Sequence, residues 1–284
     1  MILVADSGST KCDWVLSNYN GKPIHKVQTP GLNPLVYTTN QLLQIIENSV
    51  ILCQYKEHID HIHFYGAGCN STRTNQIIEK VLLSIFTNSI SITVQEDIIA
   101  AVHAVTDNPG VVCILGTGAN SCFYDGVEVF QKVPALGYVL ADEGSGNYFG
   151  KKVLKDYYFK KLPLPIAYSF EQLCSPVLDT ILSNIHNSTN PSKYLASYAR
   201  FLFEHRGNAY IENLLEQGVE EFVALYITPY KKELEQHPIH FVGSIAFNLQ
   251  DIIKKQLSGL GYNVQRFLKS PITKLTNQII TKGI

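Results

Sequence analysis

Charge is scarce in this chain and almost balanced. Lys and Arg number 23 against 24 Asp and Glu, a formal net charge of -1 at pH 7, and only 17% of residues are charged. That balance gives no electrostatic reason to expect nucleic acid or an anionic membrane as a partner. No uninterrupted apolar run is long enough to span a bilayer, and no basic segment leads into one, so the expectation is a cytoplasmic protein. Cysteine is thin. Cys12, Cys53, Cys69, Cys113, Cys122 and Cys174 form no CxxC pair, and none stands beside a histidine at zinc-ligand spacing. Most lie in apolar or strand-like runs, which reads as buried reduced thiols rather than disulfides or metal ligands. Low-complexity segments and short repeats are also missing. His58, His61 and His63 straddle a loop and a strand with no acidic ligand beside them, so a metal site is not expected there. What remains is a 284-residue chain with 45% hydrophobic residues, enough for two modest domains or one large one.

Apolar patterning supplies the organisation. Ile2-Leu3-Val4-Ala5 is a short buried strand that enters the turn Asp6-Ser7-Gly8-Ser9-Thr10-Lys11. An alternating strand, Cys12 to Leu16, places Trp14 in a core, and a third strand follows near His25-Lys26-Val27. A helix carries Leu42, Ile45, Ile46, Val50 and Cys53 near a 3.6 period. Then come the strand Ile62 to Tyr65, a helix with Ile77, Ile78, Val81, Leu82 and Ile85, and the strand Ile90 to Val94. The second half restarts the pattern: Val111 to Leu115 is an apolar strand, Gly116-Thr117-Gly118-Ala119-Asn120 a turn, and Ser121 to Tyr124 a strand. Asp125-Gly126 is a hairpin signal, with Val127 to Phe130 as the returning strand. Helices dominate roughly 145–230, where Lys151-Lys152 and Lys160-Lys161 read as solvated helix surface. A late strand, Ile239 to Val242, enters Gly243-Ser244; a last strand near Tyr262-Asn263-Val264 and a helix from about Ile272 close the chain. The echo predicts two similar α/β domains, 1–108 plus 268–284 and 109–267.

Four segments can carry chemistry. In the first turn, Gly8 permits backbone geometry that other residues resist, and hydroxyls with exposed N–H groups can surround a phosphate; Asp6 is placed to hold a hydrated magnesium ion. An ordinary hairpin turn is the competing reading. Gly116-Thr117-Gly118 has the same logic at the equivalent place in the second half, and two such turns could grip one polyphosphate. Asp97, after Gln95-Glu96, reads either as a helix N-cap or as a general base for an attacking hydroxyl, with the cap favoured on local sequence. In Leu136 to Gly146, the adjacent acids Asp142 and Glu143 sit inside glycines; sugar hydroxyls would satisfy them, and a solvated loop into a helix capped by Ser145 is the alternative.

Taken in order, DSGSTK, GLNP, QED, LGTGAN, LGYVLADEGSG and VGS resemble the N-acetylglucosamine kinase-like branch of the sugar kinase/actin/hexokinase superfamily, grouped with the ATPase domain of benzoyl-CoA reductase activators (BadF/BadG/BcrA/BcrD type). The resemblance covers nearly the whole chain. It implies two ribonuclease H-like domains around an ATP-binding cleft, ATP and Mg2+ as requirements, a small sugar as acceptor, with amino sugars such as N-acetylglucosamine as the candidates, and a homodimer. Asp97 falls where the family has its catalytic base. Gly8, Ser9, Thr10, Lys11, Thr117, Gly118, Gly243 and Ser244 fall on the ATP side, and Asp6 on the metal through water. Asn33, Gly68, Thr117, Gly137, Asp142 and Glu143 fall on the sugar side. The chain departs from the family at Ala119, where a serine is usual, at Tyr138, a commoner tryptophan, and at Val139 and Ala141, where glycines are frequent; these bear on the choice of sugar. The rival from another class is an ATP-driven activator passing an electron from an iron–sulfur cluster, which needs cysteines converging on one face.

Overall fold

Leu3, Val4 and Ala5 have no polar atoms beyond the backbone, and they form the middle strand of a sheet buried on both sides. In the computed structural model, which describes residues 1–282, β1 (Ile2–Ser7), β2 (Lys11–Ser17), β3 (Pro23–Pro30), β4 (His61–Gly66) and β5 (Ser91–Glu96) assemble in the order β3-β2-β1-β4-β5. The three N-terminal strands form an antiparallel meander, and β1, β4 and β5 run parallel. Alternation decides the two faces. Leu3, Ala5 and Trp14 pack with Phe64, Ile78 and Leu82 on one side. Val4 and Val15 on the other meet Ala100, Leu275 and Ile279 from the helices Asp97–Val105 and Ile272–Lys282.

The second sheet repeats the plan. It consists of β6 (Gly110–Leu115), β7 (Ala119–Tyr124), β8 (Val129–Phe130), β9 (Ile239–Val242) and β10 (Val264–Leu268), in the order β10-β9-β6-β7-β8. β6 and β7 are antiparallel, while β6, β9 and β10 are parallel. Position for position this is the order of the first sheet, so the echo in the sequence is an echo in topology. The chain falls into two units, Met1–Thr106 with the segment from Ser270 onward, and Asp107–Lys269. The final two residues of the segment 268–284 lie outside the described residues.

Some local expectations shift. The returning strand after Asp125-Gly126 is only two residues long, because Asp125 Oδ1 accepts the N–H groups of Val127 (2.8 Å) and Glu128 (2.7 Å) and holds both in the turn. The last strand starts at Val264 because the Tyr262 N–H still bonds the Leu257 carbonyl (3.0 Å), closing the preceding helix. Before helix Asp97–Val105 the cap position belongs to Glu96 and carries no side-chain capping bond; Asp97 is the first helical residue. Lys151 is no solvated surface lysine: its ammonium donates to the Tyr138 carbonyl at 2.5 Å, and burial lowers its pKa. The other helix of note is Gly146–Tyr158, capped by Ser145, whose Oγ accepts from the Tyr148 N–H at 3.4 Å.

Candidate active site

In the first unit, parallel register lines up the C-terminal ends of β1, β4 and β5: Asp6 pairs with Tyr65, and Tyr65 with Gln95. Asp6 also stands directly opposite Asp13 on β2. Alternation puts both carboxyls on the face of Val4 and Val15, the face covered by the helix that Asp97 begins. Three acids therefore share one end of one sheet face. Burial pushes Asp6 up to about 7, with the charge of Asp13 adding and Lys11 opposing. Burial likewise pushes Asp97 up to about 7, with Glu96 and Asp6 adding to it.

The first turn is tight and already bonded within itself. The Gly8 N–H donates to the Lys11 carbonyl at 3.0 Å, and Ser7 Oγ accepts the Leu32 N–H at 2.8 Å, which ties the GLNP loop to the turn. Lys11 Nζ donates to Asp13 Oδ2 at 2.5 Å, so this ammonium neutralises the acid beside Asp6. Ser9 and Thr10 complete the same turn between β1 and β2. Asn33 and Gly68, distant in sequence, meet: a Cβ on Gly68 would stand 2.3 Å from Asn33 Oδ1. That oxygen accepts the Leu35 N–H at 2.9 Å.

In the second unit the turn between β6 and β7 is docked on the start of helix Gly146–Tyr158. The Gly146 and Asn147 N–H groups donate to the Gly116 and Thr117 carbonyls at 2.8 and 3.0 Å. Gly243 packs on the same turn, since a Cβ there would lie 2.3 Å from the Leu115 carbonyl oxygen; Ser244 then opens the helix Ser244–Asn248. Asp142 is buried, and both of its carboxylate oxygens are engaged. Oδ1 accepts the Ala119 N–H at 3.0 Å and Oδ2 accepts Asn147 Nδ2 at 2.8 Å. Its own N–H donates to Tyr226 Oη at 2.9 Å. Burial raises its pKa, while the bonds from Ala119 and Asn147 and the charge of Lys151 work against that rise. Glu143 adds its charge to the environment of Tyr226, whose phenol burial pushes up to about 12.

Thr117, Gly118, Asp142, Gly243 and Ser244 thus gather around one turn. Gly137 does not join them. It lies in its own turn, accepting the Leu140 and Ala141 N–H groups at 3.2 and 2.9 Å, with Val139 exposed at its tip. Two residues of this cluster escape sequence reasoning. Asn147 follows the glycine-bracketed acids directly and carries no signal of its own, whereas Tyr226 is 84 residues from Asp142 and reaches it from a π-helical turn, Val223–Ile227.

No protein-family model matches the chain. No curated protein matches it either. Among solved structures, a protein from Porphyromonas gingivalis assigned provisionally as an N-acetylglucosamine kinase aligns over 100% of both chains, with 29% identity and a TM-score of 0.91. The chain resembles the sugar kinase/actin/hexokinase superfamily. Within that superfamily, the likeness is to the N-acetylglucosamine kinase-like branch, through the Porphyromonas structure. A second protein with the same provisional assignment, from Chromobacterium violaceum, shares the fold at 14% identity, 98% coverage of both chains and a TM-score of 0.74. A ROK family glucokinase from Streptomyces griseus, solved with glucose and AMPPNP, shares it at 11% identity, 97% coverage of both chains and a TM-score of 0.60. The two sheets of identical strand order match the two ribonuclease H-like domains of the actin/hexokinase-type fold.

Proposed function

We propose that this protein is an ATP-dependent kinase that transfers the γ-phosphoryl group to a hydroxyl of an amino sugar, N-acetylglucosamine being the leading candidate. The observation that carries the reading is the placement of Asp97 and Asp6 at one end of one sheet face, both holding protons up to about 7. A carboxyl with a pKa near working pH is suited to accept the proton of an attacking hydroxyl. The likeness to the Porphyromonas structure supports the choice of substrate class.

In this reading the acceptor oxygen attacks the γ-phosphorus, its bond to the β-phosphate oxygen breaks, and ADP leaves. Asp97 Oδ takes the acceptor's proton. Asn33 and Gly68 are the sugar-side candidates of the first unit, and Thr117, Gly137, Asp142 and Glu143 are those of the second. The Gly8 to Lys11 turn of the first unit and the Gly116 to Gly118 turn of the second are the phosphate-side candidates, Gly243 and Ser244 are the adenosine-side ones, and exclusion of water would limit idle hydrolysis of ATP. The donor set at Asp6 fits magnesium: a hard carboxylate oxygen, crowded by Asp13 and opposed by a single nearby ammonium, gains from an added cation. Asp6 would hold that ion through water, and the bound ion would neutralise charge on the phosphates.

The electron-transfer reading loses ground on geometry, because Cys12, Cys69, Cys113 and Cys122 are buried within their units. A cytoplasmic location and a homodimer go with the kinase reading and are tested by fractionation and by sedimentation of the purified protein. The deciding experiment is coupled ADP release with magnesium ATP across a panel of sugars. Stimulation by N-acetylglucosamine or a related hexosamine is expected, and no stimulation by any sugar overturns the reading.

A further inference from the structure

Helix Leu164–Cys174 is apolar on both sides. Ile166 and Phe170 face inward and are buried, with Phe170 packed on the rings of Tyr157 and Phe201 at centroid distances of 5.2 and 4.9 Å. Leu164 and Tyr168, one turn apart on the outer side, are exposed where a water-facing helix ordinarily carries charge. The next helix, Leu178–His186, repeats the arrangement: Ile181 is buried, and Leu178 and Leu182 are exposed one turn apart. Residues 175–177 alone join the two helices. Ser175 makes the bend with φ 42°, and Tyr158 Oη donates to the Pro176 carbonyl at 2.5 Å, which holds the link against the end of helix Gly146–Tyr158. Leu173 and Val177 are exposed on either side of this bend. The six outward side chains keep between 44 and 85% of their surface exposed, an apolar face of the kind that marks contact with another molecule.

Charge around the face says what fits it. From Leu162 to Leu178 the sole charged residue is Glu171, and it is occupied, accepting the Tyr157 hydroxyl at 2.6 Å. Lys160 and Lys161 precede the face and Asp179 follows it. All three are exposed, and none forms an ion pair among the described residues. An apolar centre with cations at one end and an acid at the other is its own complement. A two-fold rotation that turns the face onto itself brings Lys161 of each copy to Asp179 of the other. A polyanion or an anionic bilayer would instead meet an acid opposing the lysines. We propose that the outer faces of helices Leu164–Cys174 and Leu178–His186 form a two-fold interface with a second copy of this chain, apolar at its centre and closed at both ends by Lys161–Asp179 pairs between copies. The proposal goes beyond the kinase reading and does not rest on it; it gives the homodimer a face and an orientation.

Sedimentation equilibrium of the whole chain over a dilution series tests this, with each variant first checked for folding by circular dichroism. Wild type should be a dimer. Leu178→Asp places an unpaired charge in the centre of the face twice per dimer and should raise the dimer dissociation constant at least about hundredfold. An acid in the first turn suits the helix, so this variant should fold. Lys161→Asp and Asp179→Lys each set like charges opposite one another and should raise the constant roughly tenfold. Mixed in equal amounts, these two charge variants should form a heterodimer within about threefold of wild-type affinity, because opposite charges then meet at both ends. A monomeric wild type overturns the proposal, whatever else the face binds. So does a Leu178→Asp variant that dimerises as tightly as wild type, or a mixture of the two charge variants that gains nothing over either alone. None of these results touches the kinase reading, which stands or falls on sugar-dependent ADP release.

Discussion

Asp97 and Asp6 keep their protons because each is desolvated and each feels other carboxylates, Glu96 and Asp6 at Asp97 and Asp13 at Asp6. Two coupled acids titrate as a pair, so the acid limb of kcat should report apparent values near 7 rather than near 4. Turnover should therefore rise with pH up to about 7 and then level. The sign for stability is opposite. A carboxyl whose folded pKa is raised contributes its full stability below the unfolded value of about 3.8, and that stability is lost as pH climbs toward about 7. Thermal melts of the ligand-free protein between those limits should show Asp97→Asn losing less stability with rising pH than wild type. In the same variant AMPPNP affinity should stay close to wild type, while sugar-dependent ADP release falls by roughly two to four decades. Unchanged ADP release would remove Asp97 from the mechanism.

At the scale of elements, the tightest constraints are where turns meet other backbone. Gly243 has φ 122° and leaves no space for a Cβ against the Leu115 carbonyl. Gly243→Ala should thus cost about 2–4 kcal/mol of stability, read as a lowered denaturation midpoint, and should disturb the β6–β7 turn more than any part of the first sheet. Tyr230 plays a related part on β7: its hydroxyl donates to the Ser121 carbonyl at 2.9 Å and accepts the Lys132 N–H at 2.9 Å. Tyr230→Phe leaves a buried carbonyl without that donor and should cost about 1–3 kcal/mol in chemical denaturation. The strands and turns were legible locally, because apolar runs bounded by glycine and hydroxyl residues are short-range signals. The truncated β8 was not, since the Asp125 side chain claimed two N–H groups that a strand would have used.

On the scale of the molecule, two sheets with one strand order come from one sequence restarted near residue 110. The first is completed by a segment from the far end of the chain. Leu275 is fully buried among Val4, Val15 and Ala100, so Leu275→Ala should cost about 2–5 kcal/mol. Hydrogen exchange should then show β1, β2 and helix Asp97–Val105 losing more protection than β6 and β7. Equal loss in both sheets would mean that the helix from Ile272 supports more than the sheet it covers.

By itself the sequence determined the strand-turn-strand pieces, the α/β class with its repeat, and the candidate acids, because periodicity, glycine turns and short acidic motifs are properties of neighbouring residues. Tertiary structure alone decided what those acids touch. Asp142 reads in sequence as an acid awaiting a ligand, and folding also engages both of its oxygens through Ala119 and Asn147, with Tyr226 arriving from 84 residues away. The same holds for Asp6 and Asp97, whose raised pKa values come from burial and from charges that only parallel pairing of β1, β4 and β5 brings to one end of a sheet. Desolvation and long-range hydrogen bonding depend on three-dimensional neighbours, and no local pattern encodes them.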